Sequence, residues 1–355
     1  MNNEKRAEAY CRDLNMITFA AFFLVLFSFS GIFLALVTRN VLFVFISSLS
    51  LLFSLIFTAR LQFRLDKKYK EITATWKEYS IMIFFNYIVL ILLPFGFCLG
   101  LIFVPLHFST NTLGPMIFVY LNVFVLSLFA FLAVAPWNQL MRSLHKAKKL
   151  TKKEILQEVY TLARRLEVEI SEIYVLQRKK IKVANAFQVG IRPKYFSVFV
   201  SDYLLENFTK EEVNAVIAHE LAHARERHLL KILVLSVSYI LFLVNLYAYN
   251  IVIGDWTPGH FWMEVATLVI IVLIIIAFPS YLISAIHRRF ELKADSLAVY
   301  ALGDSKPVVS ALGKLAELNL FPKKLSRIAE LLAYHPSIET RIRKINQDRK
   351  IEDFD

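Results

Sequence analysis

The sequence predicts a mainly α-helical integral membrane protein, with about six transmembrane helices and one water-facing α+β domain. Three observations carry this reading. Apolar residues make up 57% of the 355 positions, and the mean hydropathy is positive. Several stretches of about 20 residues, the length that crosses a bilayer, contain no charged side chain. Lysine and arginine collect in segments that alternate with those stretches in a regular way.

The apolar stretches run Met16 to Val37, Val41 to Ala59, Ser80 to Leu106, Met116 to Pro136, Ile232 to Ile253 and Val265 to Ile286. Val41 to Ala59 is the shortest. The first exceeds the roughly 7–15 residues of a signal-peptide core, so it reads as a retained helix. Cys11 and Cys98 stand far apart, one before a span and one inside a span, a placement that fits neither a disulfide framework nor a cysteine zinc site.

The net charge of +12 is informative through its distribution. Lys5, Arg6 and Arg12 precede the first span, and Arg60, Arg64, Lys67, Lys68 and Lys70 follow the second. The segment after the fourth span and the C-terminal tail are also basic. The intervening loops "PLHFSTNTLGP" and "GDWTPGH" carry no lysine or arginine, and "TRN" carries one. Six spans place every basic segment on one face, which the positive-inside rule makes cytoplasmic. Anionic headgroups of the lipid bilayer are a secondary partner for this charge. No nucleic-acid-binding motif accompanies it, so no nucleic-acid partner is expected.

Four regions follow from this pattern. Residues 1–136 are a membrane region of four helices, 137–229 a cytoplasmic domain, 230–286 two further membrane helices, and 287–355 a cytoplasmic C-terminal helical part. In the cytoplasmic domain, "LTKKEILQEVYTLARRL" predicts a helix. Thr151 and Glu154 form its capping box, with Leu150 and Ile155 as staple. Ile155, Val159, Leu162 and Leu166 repeat at helical spacing, giving one face to bury. "EIYVLQ" and "KYFSVFVSDYLL" read as short strands around "KKIKVANAFQVG". "FTKEEVNAVIAHELAHARERH" repeats the helix-start pattern, with Thr209 as cap, Glu212 closing the box and Phe208 packing on Val213.

That last helix carries the chemistry. His219 and His223 lie four apart, so both imidazoles project from one face toward one point. Glu220, beside the first histidine, is placed to take a proton from a metal-activated water. A catalytic zinc needs a third protein ligand. His228 is a poor candidate: the extended three-histidine pattern needs glycine at 226 and histidine at 229, where this chain has Glu226 and Leu229. His228 reads instead as an interfacial histidine at the start of the fifth span.

"HRRFELKADSLAVY", just beyond the sixth span, offers a better third ligand. Glu291 and Asp295 are again four apart on one helical face. Glu291 completes a two-histidine, one-carboxylate set, which suits zinc, and Asp295 accepts the free ring N–H of a ligand histidine. "NAFQVG" places Asn185 and Ala186 where a strand edge can receive an extended substrate. "HPSIETRI" supplies His335 and Arg341 as donors to an oxyanion.

"NAF", "HELAH", "ELKAD" after two spans, and "HPSIETR" occur in the order found in the integral-membrane zinc metallopeptidases that include the HtpX heat-shock protease and the Ste-type CAAX prenyl protease. The chain resembles that family over roughly residues 150 to 345. The resemblance implies a zincin-like (gluzincin) domain holding one Zn2+ per chain on His219, His223 and Glu291, with Glu220 as general base. It further implies that Asp295 holds a ligand, that Asn185 belongs to the substrate-binding strand, and that His335 and Arg341 stabilise the transition state. The span arrangement departs from the family, since HtpX-like members carry fewer spans before the domain and CAAX-type members a larger spanned chamber.

The expected activity is that of a zinc endopeptidase acting on membrane proteins or on lipidated or membrane-tethered peptides. A membrane sensor whose zinc domain cleaves itself or a single partner is the alternative. The expected location is the plasma membrane of a prokaryote, crossed several times, with the catalytic domain and both termini cytoplasmic.

Overall fold

The computed structural model describes residues 3–37, 41–80, 123, 126–127, 137–191, 196–239 and 278–352. Apart from a few residues, the expected third and fourth spans lie outside these. So do most of the fifth and sixth spans and the loops expected on the outer face. The chain divides into two compact units, one formed by Met1–Phe118, Arg178–Val183 and Glu317–Phe321, the other by Val119–Gln177, Ala184–Ala316 and Pro322–Asp355.

In the first unit, α1 (Asn3–Val37) packs along α2 (Val41–Tyr69). Their apolar stretches run straight on into charged ends, so each helix is longer than the span expected from hydropathy alone. Among the described residues, Ile46–Tyr69 is the helical segment long and apolar enough to cross a membrane. Phe19 and Phe53 are each 67% exposed, and so broad an apolar surface suits lipid rather than water. Ser28 and Ser50 hydroxyls meet at 3.0 Å between the helices. At the basic end, Asp66 is buried, yet it accepts hydrogen bonds from Tyr10 and Tyr79 at 2.6 Å each and faces Lys70 Nζ at 3.3 Å. A buried carboxylate is tolerable only when satisfied in this manner.

The second unit starts with α3 (Trp137–Leu144) and β1 (Lys148–Lys149), followed by α4 (Lys153–Arg165) and β2 (Glu172–Leu176). Then come β3 (Ala186–Val189), β4 (Ser197–Ser201), α5 (Asp202–Asn207) and α6 (Lys210–Arg225). An apolar helix α7 (His228–Tyr239) follows directly. After the undescribed stretch come α8 (Phe278–Leu302), α9 (Lys306–Asn319, of which Glu317 onward counts with the first unit), α10 (Arg327–Leu332) and α11 (Ile338–Glu352).

The four strands lie in the order β1-β2-β4-β3, with β2 and β4 parallel and both outer pairs antiparallel. Phe199 of β4 stacks between Tyr174 of β2 and Phe187 of β3, its register partners. These aromatic cross-strand pairs fix the register of the sheet. The expected strands correspond to β2 and β4, and β3 lies in the "NAFQVG" segment between them, where a strand edge for substrate was expected.

Two local expectations are corrected. Helix α4 begins after Lys152, whose side chain makes no capping bond, not after Thr151. Leu150 N–H donates to Ile173 O at 2.9 Å, which holds the chain extended beside the sheet and delays the turn. "SDYLL" is the start of a helix, not the end of a strand. Ser201 accepts from Leu204 N–H at 3.1 Å and so caps α5.

The expected capping box of α6 is present. Thr209 accepts from Glu212 N–H at 3.3 Å while Glu212 accepts from Thr209 N–H at 2.8 Å. Ser310 and Lys314 of α9 also donate to Glu212, each at 2.6 Å. Thr209→Ala is expected to lower the stability of the folded domain by about 0.5–2 kcal/mol, read by denaturant titration. An unchanged midpoint would show that the bonds from α9 alone hold the helix start.

The body of α6 is almost wholly enclosed. Val213, Ile217 and Leu221 each contribute about 1.5–3 kcal/mol on burial. Ala218 and Ala222 of α6, and Ala294 and Ala298 of α8, are fully buried. Small side chains let helices approach closely, and the packing of α6 against α8 brings two distant parts of the chain together.

Candidate metal centre

His219 and His223 stand on consecutive turns of α6, and Glu291 faces them from α8. The two Nε2 atoms are 3.1 Å apart. Glu291 places Oε2 at 3.5 Å from His219 Nε2 and Oε1 at 3.4 Å from His223 Nε2. Donors at ordinary zinc bond lengths around a tetrahedral ion stand about 3.3 Å apart. The triangle therefore fits zinc without rearrangement, and its donor set of two imidazoles and one carboxylate is suited to that ion.

The other ring nitrogens are also engaged. His219 Nδ1 lies 3.0 Å from Asp295 Oδ1, and His223 Nδ1 lies 2.7 Å from His228 Nδ1. Asp295 in turn accepts from Arg341 Nε at 2.7 Å and Nη2 at 2.6 Å, a bidentate pair in which both groups are buried. Arg341 Nη1 reaches to 3.4 Å from Glu291 Oε2. Its guanidinium thus holds Asp295 and Glu291 in place, and His335, the other expected oxyanion donor, lies beside the Glu291 carboxylate. That ring is 67% exposed with Nδ1 at 3.2 Å from Glu291 Oε1. Arg288 steadies the segment before it, donating to Leu331 O at 2.7 Å and Ala333 O at 3.0 Å.

Glu220 points toward β3, where its Oε2 accepts from Gln188 N–H at 3.1 Å. Since that N–H faces away from β4, the period of two in a strand also directs the main-chain groups of Ala186 to the far edge, which has no strand partner among the described residues. Asn185 is exposed; its main chain is bonded to Ser201 in both directions.

The sequence profile described as "Peptidase family M48" matches residues 149–349. The chain belongs to this family. It is similar to the "Protease HtpX homolog" of Polaromonas naphthalenivorans (strain CJ2), at 26% identity over 234 residues, 61% of this chain and 79% of that protein. The "Protease HtpX homolog" of Helicobacter pylori (strain Shi470) is 25% identical over 284 residues, 70% of this chain and 90% of that one. Among solved structures, the crystal structure of S. mikatae Ste24p matches with a TM-score of 0.62 at 18% identity, covering 84% of this chain and 76% of that chain. This last likeness is one of fold. The M48 chain is a metalloprotease with the apolar composition of a membrane protein.

Electrostatics in the M48 site follow from burial opposed by close partners. Burial alone would raise the carboxyl pKa of Glu291, but hydrogen bonds from His219, His223 and His335 outweigh it and hold the group well below the ordinary value. Burial also works against the Asp295 carboxylate, and Arg341 more than compensates. For His219 burial opposes charge, yet Asp295 and Glu291 together raise the ring to about 10. The surrounding carboxylates thus create a demand for positive charge that a proton or a bound cation satisfies. Glu220 differs: burial raises its pKa, and His219 and His223 only partly offset this. A carboxylate with raised basicity is suited to accepting a proton.

Sequence reasoning did not connect one residue to the M48 site. His228, expected as an interfacial histidine at the start of the fifth span, does begin α7, and it is also buried beside the site with its ring stacked on Phe290 at 3.9 Å and 12°. Arg227 adopts a left-handed conformation (φ 51°), which turns the chain back after α6 and folds His228 over His223. No residue type at position 227 marks this turn, since arginine is uncommon in that conformation.

Proposed function

We propose that this M48 metalloprotease is a multi-pass membrane endopeptidase, with one zinc per chain at the cytoplasmic face, that cleaves membrane or membrane-tethered polypeptides in extended form. The donor triangle of His219, His223 and Glu291, with Glu220 at its side and the open edge of β3 beyond, carries this reading. The alternation of basic segments with apolar spans supports the orientation.

Zinc, when bound, supplies Lewis-acid polarisation of the scissile carbonyl and acidifies the attacking water. His219, His223 and Glu291 would hold it, with Asp295 fixing the tautomer of His219. Glu220 takes the proton of the attacking water and returns it to the departing amine nitrogen. His335, exposed beside Glu291, donates to the oxyanion. The N–H and C=O of Ala186 and the C=O of Gln188 offer main-chain groups against which an extended substrate can pair as an added strand, and Asn185 flanks that edge.

The testing experiment uses the full chain purified in detergent, with metal content and cleavage of unstructured casein as readouts. Wild type is expected to hold about one zinc per chain and to cut. Chelation should abolish cutting and added zinc restore it. Glu291→Ala, with one donor of three removed, is expected to lose zinc during purification. A folded wild type without zinc, or cutting that survives chelation, overturns the proposal.

A further inference from the structure

The two ligand histidines are supported in different ways. His219 Nδ1 faces a carboxylate, Asp295, at 3.0 Å. His223 Nδ1 faces a second imidazole, that of His228, at 2.7 Å. We infer that His228 is the positioning residue of His223: its Nδ1 accepts the Nδ1–H of His223 and so fixes the tautomer whose Nε2 lone pair points at the metal centre. This rests on the zinc-site reading given above and extends it to a residue outside the metal triangle.

Proton placement follows from the geometry. His223 Nε2 is turned toward His219 Nε2 at 3.1 Å and Glu291 Oε1 at 3.4 Å. To offer a lone pair there, the neutral ring must carry its proton on Nδ1. The only assignment that then makes the 2.7 Å contact a hydrogen bond has His223 donating and His228 accepting at Nδ1, with the His228 proton on Nε2. His228 cannot ligate the same ion, because it approaches His223 from the Nδ1 side, away from the donor triangle.

Packing holds the acceptor still. His228 is 5% exposed. Its ring lies nearly parallel to that of Phe290 at 3.9 Å, and Lys231 Nζ sits 5.6 Å over that same ring. Phe290 immediately precedes Glu291 on α8. One side chain therefore fixes a ligand on α6 and stacks on the neighbour of a ligand on α8, so that the two ligand-bearing helices share a contact beside the metal centre.

The test compares His228→Asn, His228→Gln and His228→Leu in the full chain, reading zinc affinity by competition with a chromogenic chelator and unfolding of the metal-free protein. Asparagine places its carbonyl oxygen where Nδ1 stands, glutamine places its polar group farther out, and leucine keeps apolar bulk against Phe290 without an acceptor. The leucine and glutamine variants are expected to bind zinc about 10–100-fold more weakly, with asparagine close to wild type. Metal-free unfolding should not follow that order. If leucine fails to fold, asparagine against glutamine decides. Equal affinities for asparagine and glutamine, or a leucine variant that binds as wild type does, would overturn the inference alone. A wild type that holds no zinc would overturn the metal-centre reading and this inference with it.

Discussion

Glu220→Gln is expected to bind zinc as the wild type does while its kcat falls by about 10²–10⁴-fold, the contribution typical of a positioned general base. The side chain lies outside the donor triangle, and its observed partner is the Gln188 main-chain N–H at 3.1 Å. Glutamine keeps the size and an oxygen able to accept that bond, so β3 should stay in place. What the amide lacks is the capacity to receive a proton, which the raised basicity of the buried carboxyl supplies. The decisive comparison is turnover at equal zinc occupancy. Retention of more than a tenth of wild-type kcat would remove Glu220 from the mechanism, and loss of zinc would mean that its carboxylate belongs to the metal site.

Asp295→Ala is expected to cost about 3–5 kcal/mol of folding stability, because it removes the bidentate partner of the buried Arg341 guanidinium and leaves it only the longer contact to Glu291. Zinc affinity should also fall about 10–100-fold, since His219 Nδ1 loses the oxygen at 3.0 Å that orients its ring. The double variant Asp295→Ala, Arg341→Met separates these effects. Removing both charges should recover most of the stability, whereas His219 would still lack its partner and zinc would still bind weakly. Recovery of zinc affinity along with stability would show that Asp295 acts on the fold rather than on His219. Urea titration of the metal-free protein and zinc competition measure the two quantities independently.

The sequence alone determined the features that depend on spacing along a helix. Thr209 and Glu212 mark where α6 begins, and the four-residue spacing of His219 and His223 puts their rings on one face, because helical geometry is local. The same rule pairs Glu291 with Asp295 on α8. Apolar run lengths and the placement of lysine and arginine are equally local, and they suffice to read a membrane protein.

Only the tertiary structure decided which groups meet across elements. That Glu291 reaches both histidines depends on the packing of α6 against α8, about 70 residues apart in the chain. Arg341, legible as a possible donor to substrate, also pairs with Asp295, because the two buried charges must neutralise each other. β3 became an edge strand through pairing with β4, and Leu150 shifted the start of α4 by bonding to β2. His228 joined the site through a left-handed turn at Arg227 that no local pattern announces. In each case the deciding interaction joins groups that no helical or strand period relates, so its partner is fixed by packing and by the need to satisfy buried polar atoms.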